Sequence, residues 1–482
     1  MTSNRPAAVI VLAAGGGTRM KSALPKPLHM IGGRTLIAHA MTAARGVEPG
    51  TLVVVLRHER DRIADHVTEL DPATVVADQD EVMGTGRAVE CGLAALPSDL
   101  TGTVLVTMGD IPLLTAETLS RLTETHATAG AAATVITFTP PDPTGYGRIL
   151  RDADGAIVGN VEDADATAEQ RLITEVNSGL YAFDAAALRS ALGRIGTENA
   201  KGEKYLTDVL GALAADGSRV GARRVDDAWQ TEGVNDRVQL ARVGAELNRR
   251  TVEHWMRAGV TVVDPATTWV DTDVTLGHDV TIHPQTQIHG ASTIGSDVVI
   301  GPDTTLADVE IADRASVVRT HATLAMIGAD ASVGPFAYLR PGTVLGSGGK
   351  IGTYVETKNA TVGDGAKVPH LSYVGDAEIG AGTNIGAGTI FANYDGVEKH
   401  HTTVGAHCKT GSNNAFVAPV EIGDGAATGA GAVVRRDVPP GALAVSSGPQ
   451  RTIDGWVERK RGGTASARAA EAARAEEEGE AQ

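Results

Sequence analysis

The 482-residue sequence predicts an α/β chain in two halves. A doubly wound, Rossmann-like sheet comes first, then a long connecting helix, then a parallel β-helix of hexapeptide repeats. Three observations carry this reading. Between residues 276 and 306 an aliphatic recurs at every sixth position: Leu276, Ile282, Ile288, Ile294, Ile300 and Leu306. A helix needs apolar positions every three or four residues and a strand every second. A period of six suits short strands that each turn one aliphatic inward before the chain rounds a corner. The register resumes at Val333, Leu339, Leu345 and Ile351, at Val362, Val368 and Val374, and at Ile379 and Ile385. In the first half, apolar runs alternate instead with helical patterns, the rhythm of a doubly wound domain. Between the halves, residues 237–259 (RVQLARVGAELNRRTVEHWMRAG) form an amphipathic helical pattern without proline.

Taken in order, residues 7–14 (AAVIVLAA) read as a strand buried on both faces. Only Arg5 precedes this run, and its length is near the lower limit for a signal-peptide core, so it is not read as a leader. A helix follows at 35–45, a strand at 51–56, a helix at 59–69, a strand at 74–77, a helix at 85–96 and a strand at 103–108. The expected divisions are a sheet domain at 1–236, a linker helix at 237–259 and a β-helix domain at 260–458, whose coils end near Pro439-Pro440-Gly441. Residues 459–482 are rich in Ala, Glu and Arg and are expected to be a disordered tail.

Composition narrows the function. With 42% hydrophobic but only 3% aromatic residues, the cores must be filled by Val, Ile, Leu and Ala. A net charge of −17 argues against a nucleic-acid groove, which needs a basic face. Cys91 and Cys408 lie far apart, which excludes a disulfide framework or thiolate zinc site and fits a reducing compartment. No run approaches the roughly 20 apolar residues of a membrane span. A cytoplasmic chain without nucleic-acid or membrane partners is expected.

The first strand runs into Leu12-Ala13-Ala14-Gly15-Gly16-Gly17-Thr18-Arg19-Met20, followed by Leu24-Pro25-Lys26-Pro27-Leu28. Glycines after a buried strand let backbone N–H groups approach an anion closely. No Gly-Lys-Ser/Thr follows, and the third glycine of GxGxxG is missing, so neither common phosphate loop is present. Arg19 and Lys26 supply cations instead. Pro25 and Pro27 disfavour helical backbone at Leu24 and Lys26, and an extended segment that aims the Lys26 ammonium is expected.

These motifs resemble the signature of the sugar-1-phosphate nucleotidyltransferases. Joined to a hexapeptide-repeat half, residues 7–458 resemble the bifunctional N-acetylglucosamine-1-phosphate uridyltransferase/glucosamine-1-phosphate N-acetyltransferase family. The resemblance implies a nucleotidyltransferase domain and a left-handed β-helix. It implies that UTP and UDP-N-acetylglucosamine are held by Leu12, Ala13, Ala14, Gly15, Lys26, Gln79, Gly84, Thr85, Met108, Gly109, Asp110, Gly147, Glu162, Asn177 and Asn235. Within that set Gln79, Gly84 and Thr85 would read the uracil, and Gly147, Glu162 and Asn177 the sugar. Asp110 and Asn235 would hold Mg²⁺, an ion commonly bound by one or two protein oxygens plus phosphates and waters. Charge neutralisation by Lys26 and Arg19 would serve attack of the sugar phosphate on the α-phosphorus of UTP.

In the second half, polar residues interrupt the repeats: Arg340, Lys358, His370, Tyr373, Asn384 and the insertion Asn393-Tyr394-Asp395-Gly396. Acyl transfer from a thioester to an amine needs a base, and histidine is the default. By resemblance His370 is that base, Arg340, Lys358, Tyr373 and Asn384 hold glucosamine 1-phosphate, and Ala387, Asn393, Tyr394, Ser412 and Ala430 hold acetyl-coenzyme A. Ser447 stands where some members carry a basic residue near the coenzyme phosphates, with Arg451 or Arg459-Lys460-Arg461 as substitutes. His400-His401 read as a solvated loop pair, and Cys408 takes no role. The resemblance also implies a homotrimer with shared acetyl sites, and N-acetylglucosamine 1-phosphate as the intermediate between two activities. The competing expectation is a single-activity nucleotidyltransferase whose β-helix only oligomerises or binds an effector.

Overall fold

The structure is a computed structural model describing residues 5–446, 448 and 450–480. It divides into two compact units, Met1–Leu324 and Ala325–Gln482. The first unit thus extends past the sequence-expected boundary at 259.

In the first unit a mixed sheet runs in the order Val220–Arg224, Ala133–Phe138, Val176–Asp184, Thr103–Met108, Ala8–Leu12, Thr51–Leu56, Val75–Asp78. The apolar run at the N-terminus is an interior strand of this sheet, paired in parallel with Thr51–Leu56 and Thr103–Met108. Helices on both faces bury it, which is why it reads as continuous Val, Ile and Leu rather than as an alternation. Val176–Asp184 runs antiparallel to both neighbours, a departure from the all-parallel rhythm. Helices Leu36–Arg45, Arg60–Leu70 and Thr85–Ala94 follow the expected order.

The long helix, Arg237–Arg257, starts where the Asp236 side chain accepts from Gln239 N. Its Val243 is buried with Met20, Ile31, Leu36, Leu113 and Val234. The first β-helix coils are pinned to it by Asn248, which donates to Thr268 O at 2.8 Å and accepts from Val270 N at 2.9 Å. Those two bonds tie the first coil to the helix within this unit. The rungs Leu276 to Leu306 are all buried, and strands pair in parallel with those 18 residues on, as in Thr275↔Thr293 and Thr281↔Val299. Three six-residue repeats, each with one short strand, therefore make one coil.

The second unit is a left-handed parallel β-helix with steps of 18 residues (Ala325↔Thr343) or 17 (Lys350↔Lys367). The insertion stretches one coil to 25 residues, Ala377↔Thr402. Most left-handed corners carry Asp, Asn or Gly, but one edge carries Phe336, Tyr354 and Leu371 at φ 61°, 55° and 51°. Bulky residues are costly in that backbone region. All three are exposed, and the Phe336 and Tyr354 rings stack at 5.4 Å. Beyond the coils, where a disordered tail is expected, helices Trp456–Arg461 and Ala465–Glu480 pack together through Glu458 and Arg474 at 3.2 Å. Ala, Glu and Arg are strong helix formers, which the low hydrophobicity of the segment conceals. No helix among the described residues is long and apolar enough to cross a membrane.

Candidate active sites

In the first unit the carboxyl ends of the central strands open onto a cavity of ≈ 280 Å³. Leu12, Ala13, Ala14, Gly15, Lys26, Gln79, Gly84, Thr85, Met108, Gly109 and Asp110 all line it. Ligands in doubly wound sheets bind at this edge. Gly109 N donates to Leu12 O at 2.9 Å, drawing the ends of two parallel strands together. The Gln79 carboxamide donates to Val82 O and Gly84 O at 2.9 and 3.1 Å, which leaves its oxygen for another partner. Gly84, at φ +115°, opens the helix Thr85–Ala94. Helix N-termini favour anions.

Lys26 departs from the expected extended segment. Pro25 is extended, but Lys26–Leu28 is a 3-10 turn closed by Leu28 N to Pro25 O at 3.0 Å and His29 N to Lys26 O at 3.2 Å. Proline disfavours the α region before it, yet these two bonds select a tighter turn. The turn carries the Lys26 ammonium to the Asp110 carboxylate and, at 3.2 Å, to Asn235 Oδ1. Two hard oxygens from distant segments thus converge on one positive charge. That donor set suits a hard divalent cation. Arg19 lies apart: it is exposed on the Thr18–Met20 turn and is not among the cavity-lining residues.

A second cavity of ≈ 250 Å³ shares Leu12, Thr85, Met108 and Glu203 with the first and is further lined by Gly147, Glu162 and Asn177. Asn177 N donates to Gly147 O at 2.9 Å, and Asn177 Nδ2 donates to the Tyr181 hydroxyl at 2.6 Å. Burial pushes the Tyr181 hydroxyl well above its usual range, so it stays protonated. Glu162 Oε1 accepts from Thr207 Oγ1 at 3.0 Å. Burial, then the charges of Asp165 and Glu203, push the Tyr205 hydroxyl up to about 12. That buried hydroxyl has no hydrogen-bond partner among the described residues. Residues 203–207 are tied to the helix start by Lys204 N to Met83 O and Gly86 N to Lys204 O, both 2.8 Å, and by Leu206 N to Thr85 Oγ1 at 3.1 Å. One strap therefore walls both cavities.

In the second unit, the parallel register stacks the candidate residues in columns. Lys367↔Asn384↔Lys409↔Ala427 sets His370, Ala387, Ser412 and Ala430 on successive rungs. Gly388 N to His370 O, Asn413 N to Ala387 O and Gly431 N to Ser412 O carry the ladder upward. With rungs about 4.8 Å apart, Ala387, Ser412 and Ala430 form a column of small residues on the rungs after His370. The corner at Leu371 leads from His370 to Tyr373, whose hydroxyl accepts from Asn393 Nδ2 at 3.4 Å. Arg340 sits one rung from Lys358 (Leu339↔Thr357) and is paired with Glu356 at 2.9 Å. Burial opposes ionisation of Asp376, but hydrogen bonds from Asn359 and Asn393 and the charges of Lys358 and Lys399 outweigh it and lower its pKa. The insertion is closed by Tyr394 hydroxyl to Gly396 O at 2.7 Å and by His400 to Asp395 at 2.7 Å, so His400 is a clasp rather than a solvated residue. Ser447 lies outside the described residues.

Sequence reading passed over several residues. Arg57 and His58 line the first cavity directly after the strand Thr51–Leu56, where the strand-edge rule would have found them. Tyr146, Tyr205 and Thr207 line the second with no local motif to announce them. Lys399 lies against Lys358, whose ammonium lowers its pKa, so two cations face one place on the β-helix.

Comparison with known proteins agrees with this division. Residues 9–174 match the MobA-like NTP transferase domain, and residues 273–317 match the bacterial transferase hexapeptide (six repeats). The chain is 61% identical over 470 residues to a "Bifunctional protein GlmU" of Pseudarthrobacter chlorophenolicus, covering 97% of this chain and 96% of that one. A protein of the same name from Kineococcus radiotolerans is 60% identical over 474 residues, 98% and 96% of the two chains. One from Micrococcus luteus is 58% identical over 490 residues, 99% of each. With both halves matched over nearly their full length, the chain belongs to the GlmU family of bifunctional proteins.

Proposed function

We infer that the chain makes UDP-N-acetylglucosamine in two steps at two sites. Acetyl-coenzyme A first acetylates glucosamine 1-phosphate, and UTP then transfers uridylyl to the resulting N-acetylglucosamine 1-phosphate. The observation that carries this reading is the pairing, on one chain, of the Lys26–Asp110–Asn235 cluster with the column of small residues above His370. We assign uridylyl transfer to residues 1–236, the linker to 237–259 and acetyl transfer to 260–458.

In acetyl transfer, the amine attacks the thioester carbonyl and the C–S bond breaks. His370 takes the amine proton and returns it to the leaving thiolate. Arg340, Lys358 and Lys399 face the sugar phosphate, Tyr373 and Asn384 the sugar, and Ala387, Asn393, Tyr394, Ser412 and Ala430 the coenzyme. In uridylyl transfer, an oxygen of N-acetylglucosamine 1-phosphate forms a bond to the α-phosphorus of UTP. The α–β bridging bond breaks, and pyrophosphate leaves with its oxygen. Two anions must meet, so the protein's work is positioning and neutralisation. Lys26 faces the phosphates, and Gln79, Gly84 and Thr85 hold the base. Gly147, Glu162 and Asn177 hold the sugar. A divalent ion, which we propose is Mg²⁺ on Asp110 and Asn235, supplies charge neutralisation when bound.

We propose a homotrimer, supported by the strained and exposed apolar edge of Phe336, Tyr354 and Leu371 beside His370. We also propose a cytoplasmic location, supported by the free thiols of Cys91 and Cys408. A paired assay tests the central reading on wild type, Asp110→Ala and His370→Ala. One arm follows thiol release from acetyl-coenzyme A with glucosamine 1-phosphate; the other follows pyrophosphate release from UTP with N-acetylglucosamine 1-phosphate. Each substitution should silence its own arm alone. Pyrophosphate release without thiol release in wild type would reduce the β-helix to a scaffold.

A further inference from the structure

We propose that Arg148, paired with Asp163, is a positioning residue for the sugar phosphate in uridylyl transfer. The inference rests on the reading of the second cavity as the sugar site. Arg148 follows Gly147 directly and opens the strand Arg148–Arg151. It is 2% exposed and heads the largest fully buried side chains among the described residues. A guanidinium is costly to bury, and apolar replacements of buried ion pairs are often neutral or stabilising. Stability is therefore a poor reason for its presence.

Its contacts suggest another reason. One Nη donates to the Tyr146 carbonyl, and the other pairs with Asp163 Oδ1 at 3.1 Å. Tyr146 stands between Gly145 and Gly147; Asp163 adjoins Glu162. A single planar fork thus spans both segments that carry candidate sugar contacts. The third contact, Asn177, hangs from Gly147 O through its own N–H at 2.9 Å. A Gly-Tyr-Gly loop has little stiffness of its own, with Gly145 at φ +84° and no side chain at either flank. Beyond Arg148, the Tyr146 ring meets Phe138 edge-on at 5.2 Å, which holds the ring but not the carbonyl. Lysine could not replace the fork, because one ammonium cannot serve both partners in the same planar geometry.

Steady-state kinetics on the full chain test this with Arg148→Met, Arg148→Lys and Asp163→Asn. The forward reaction varies UTP and N-acetylglucosamine 1-phosphate; the reverse varies UDP-N-acetylglucosamine and pyrophosphate. A wall displaced by a fraction of an ångström should raise KM for N-acetylglucosamine 1-phosphate about tenfold in Arg148→Met and less in the other two. KM for UTP and pyrophosphate should stay within about twofold, since neither touches that wall. Thiol release should be unchanged and serves as the folding control. Asp163→Asn is near-isosteric and answers the question if Arg148→Met does not fold. Equal movement of both substrates' KM, or a lower melting temperature with both KM values constant, overturns the proposal. If wild type releases no pyrophosphate from these substrates, the reading of the site fails instead.

Discussion

Gly84→Ala is the sharpest perturbation the first unit offers. Gly84 sits at φ +115°, and a Cβ there would lie 2.3 Å from Lys204 O, 2.5 Å from Lys204 N and 2.7 Å from Lys204 C. Backbone cannot swing aside as a side chain can, so the strap at 203–207 must move. Holding alanine in such backbone costs about 1–3 kcal/mol. The two 2.8 Å bonds that seat Lys204 on Met83 and Gly86 add about 1 kcal/mol each if broken. The total is about 3–5 kcal/mol, released either as a misplaced strap or as lost stability. Because the strap carries Tyr205, Leu206 and Thr207 into the sugar-side cavity, uridylyl transfer bears the loss. At about 1.4 kcal/mol per factor of ten, kcat/KM for pyrophosphate release should fall by at least about 10²-fold. Thiol release, monitored on the same sample, should hold. Gly86→Ala is the graded control: its Cβ would meet Lys204 O at 2.9 Å, and its backbone lies outside the left-handed region, so its loss should be smaller. Wild-type pyrophosphate release in Gly84→Ala at an unchanged melting temperature would refute the argument.

Two further outcomes follow from the same chemistry. Chelation should abolish pyrophosphate release and leave thiol release intact, with Mg²⁺ restoring the first; Asp110→Asn should need more Mg²⁺ for half-maximal rate, and an unchanged requirement would remove Asp110 from the metal site. The first unit should also weaken in acid. Burial lowers the pKa of His39, His29 and His126 below 6.5, so their neutral forms contribute stability above that value, and it is lost as pH falls through the folded values. His289 works in the opposite direction: Asp271 raises its pKa, and its contribution is present below 6.5 and lost as pH rises. Thermal unfolding followed by loss of pyrophosphate activity should show the acid slope, and His39→Gln should flatten it; an equal slope in the variant would show that His39 is not its source.

Periodicity and motif chemistry carried far in this chain because they are local. A six-residue repeat needs only that each aliphatic point inward, so Leu276, Ile282 and Ile300 could be read as rungs before any coil was seen, and all are buried. The Leu12–Gly15 loop and Asp110 follow buried strands, and a doubly wound sheet delivers such loops to one edge whatever its details. Packing between distant segments decided the rest. The 3-10 turn at Lys26 depends on bonds that outweigh a proline preference, and Arg19 is left outside the cavity although it sits in the same motif. Helix formation after Arg461 follows from propensity and pairing, not from hydrophobicity. The first coil is tied to the long helix by Asn248 reaching Thr268 and Val270, a contact no repeat encodes. Arg148, Tyr205 and Thr207 have no signature in the chain, because their meaning lies in which distant backbone they touch. Sequence by itself determined the repeat, the loops and the chemical cast; tertiary structure decided which of those groups meet, since convergence of Lys26, Asp110 and Asn235 is a property of the folded sheet and not of any segment.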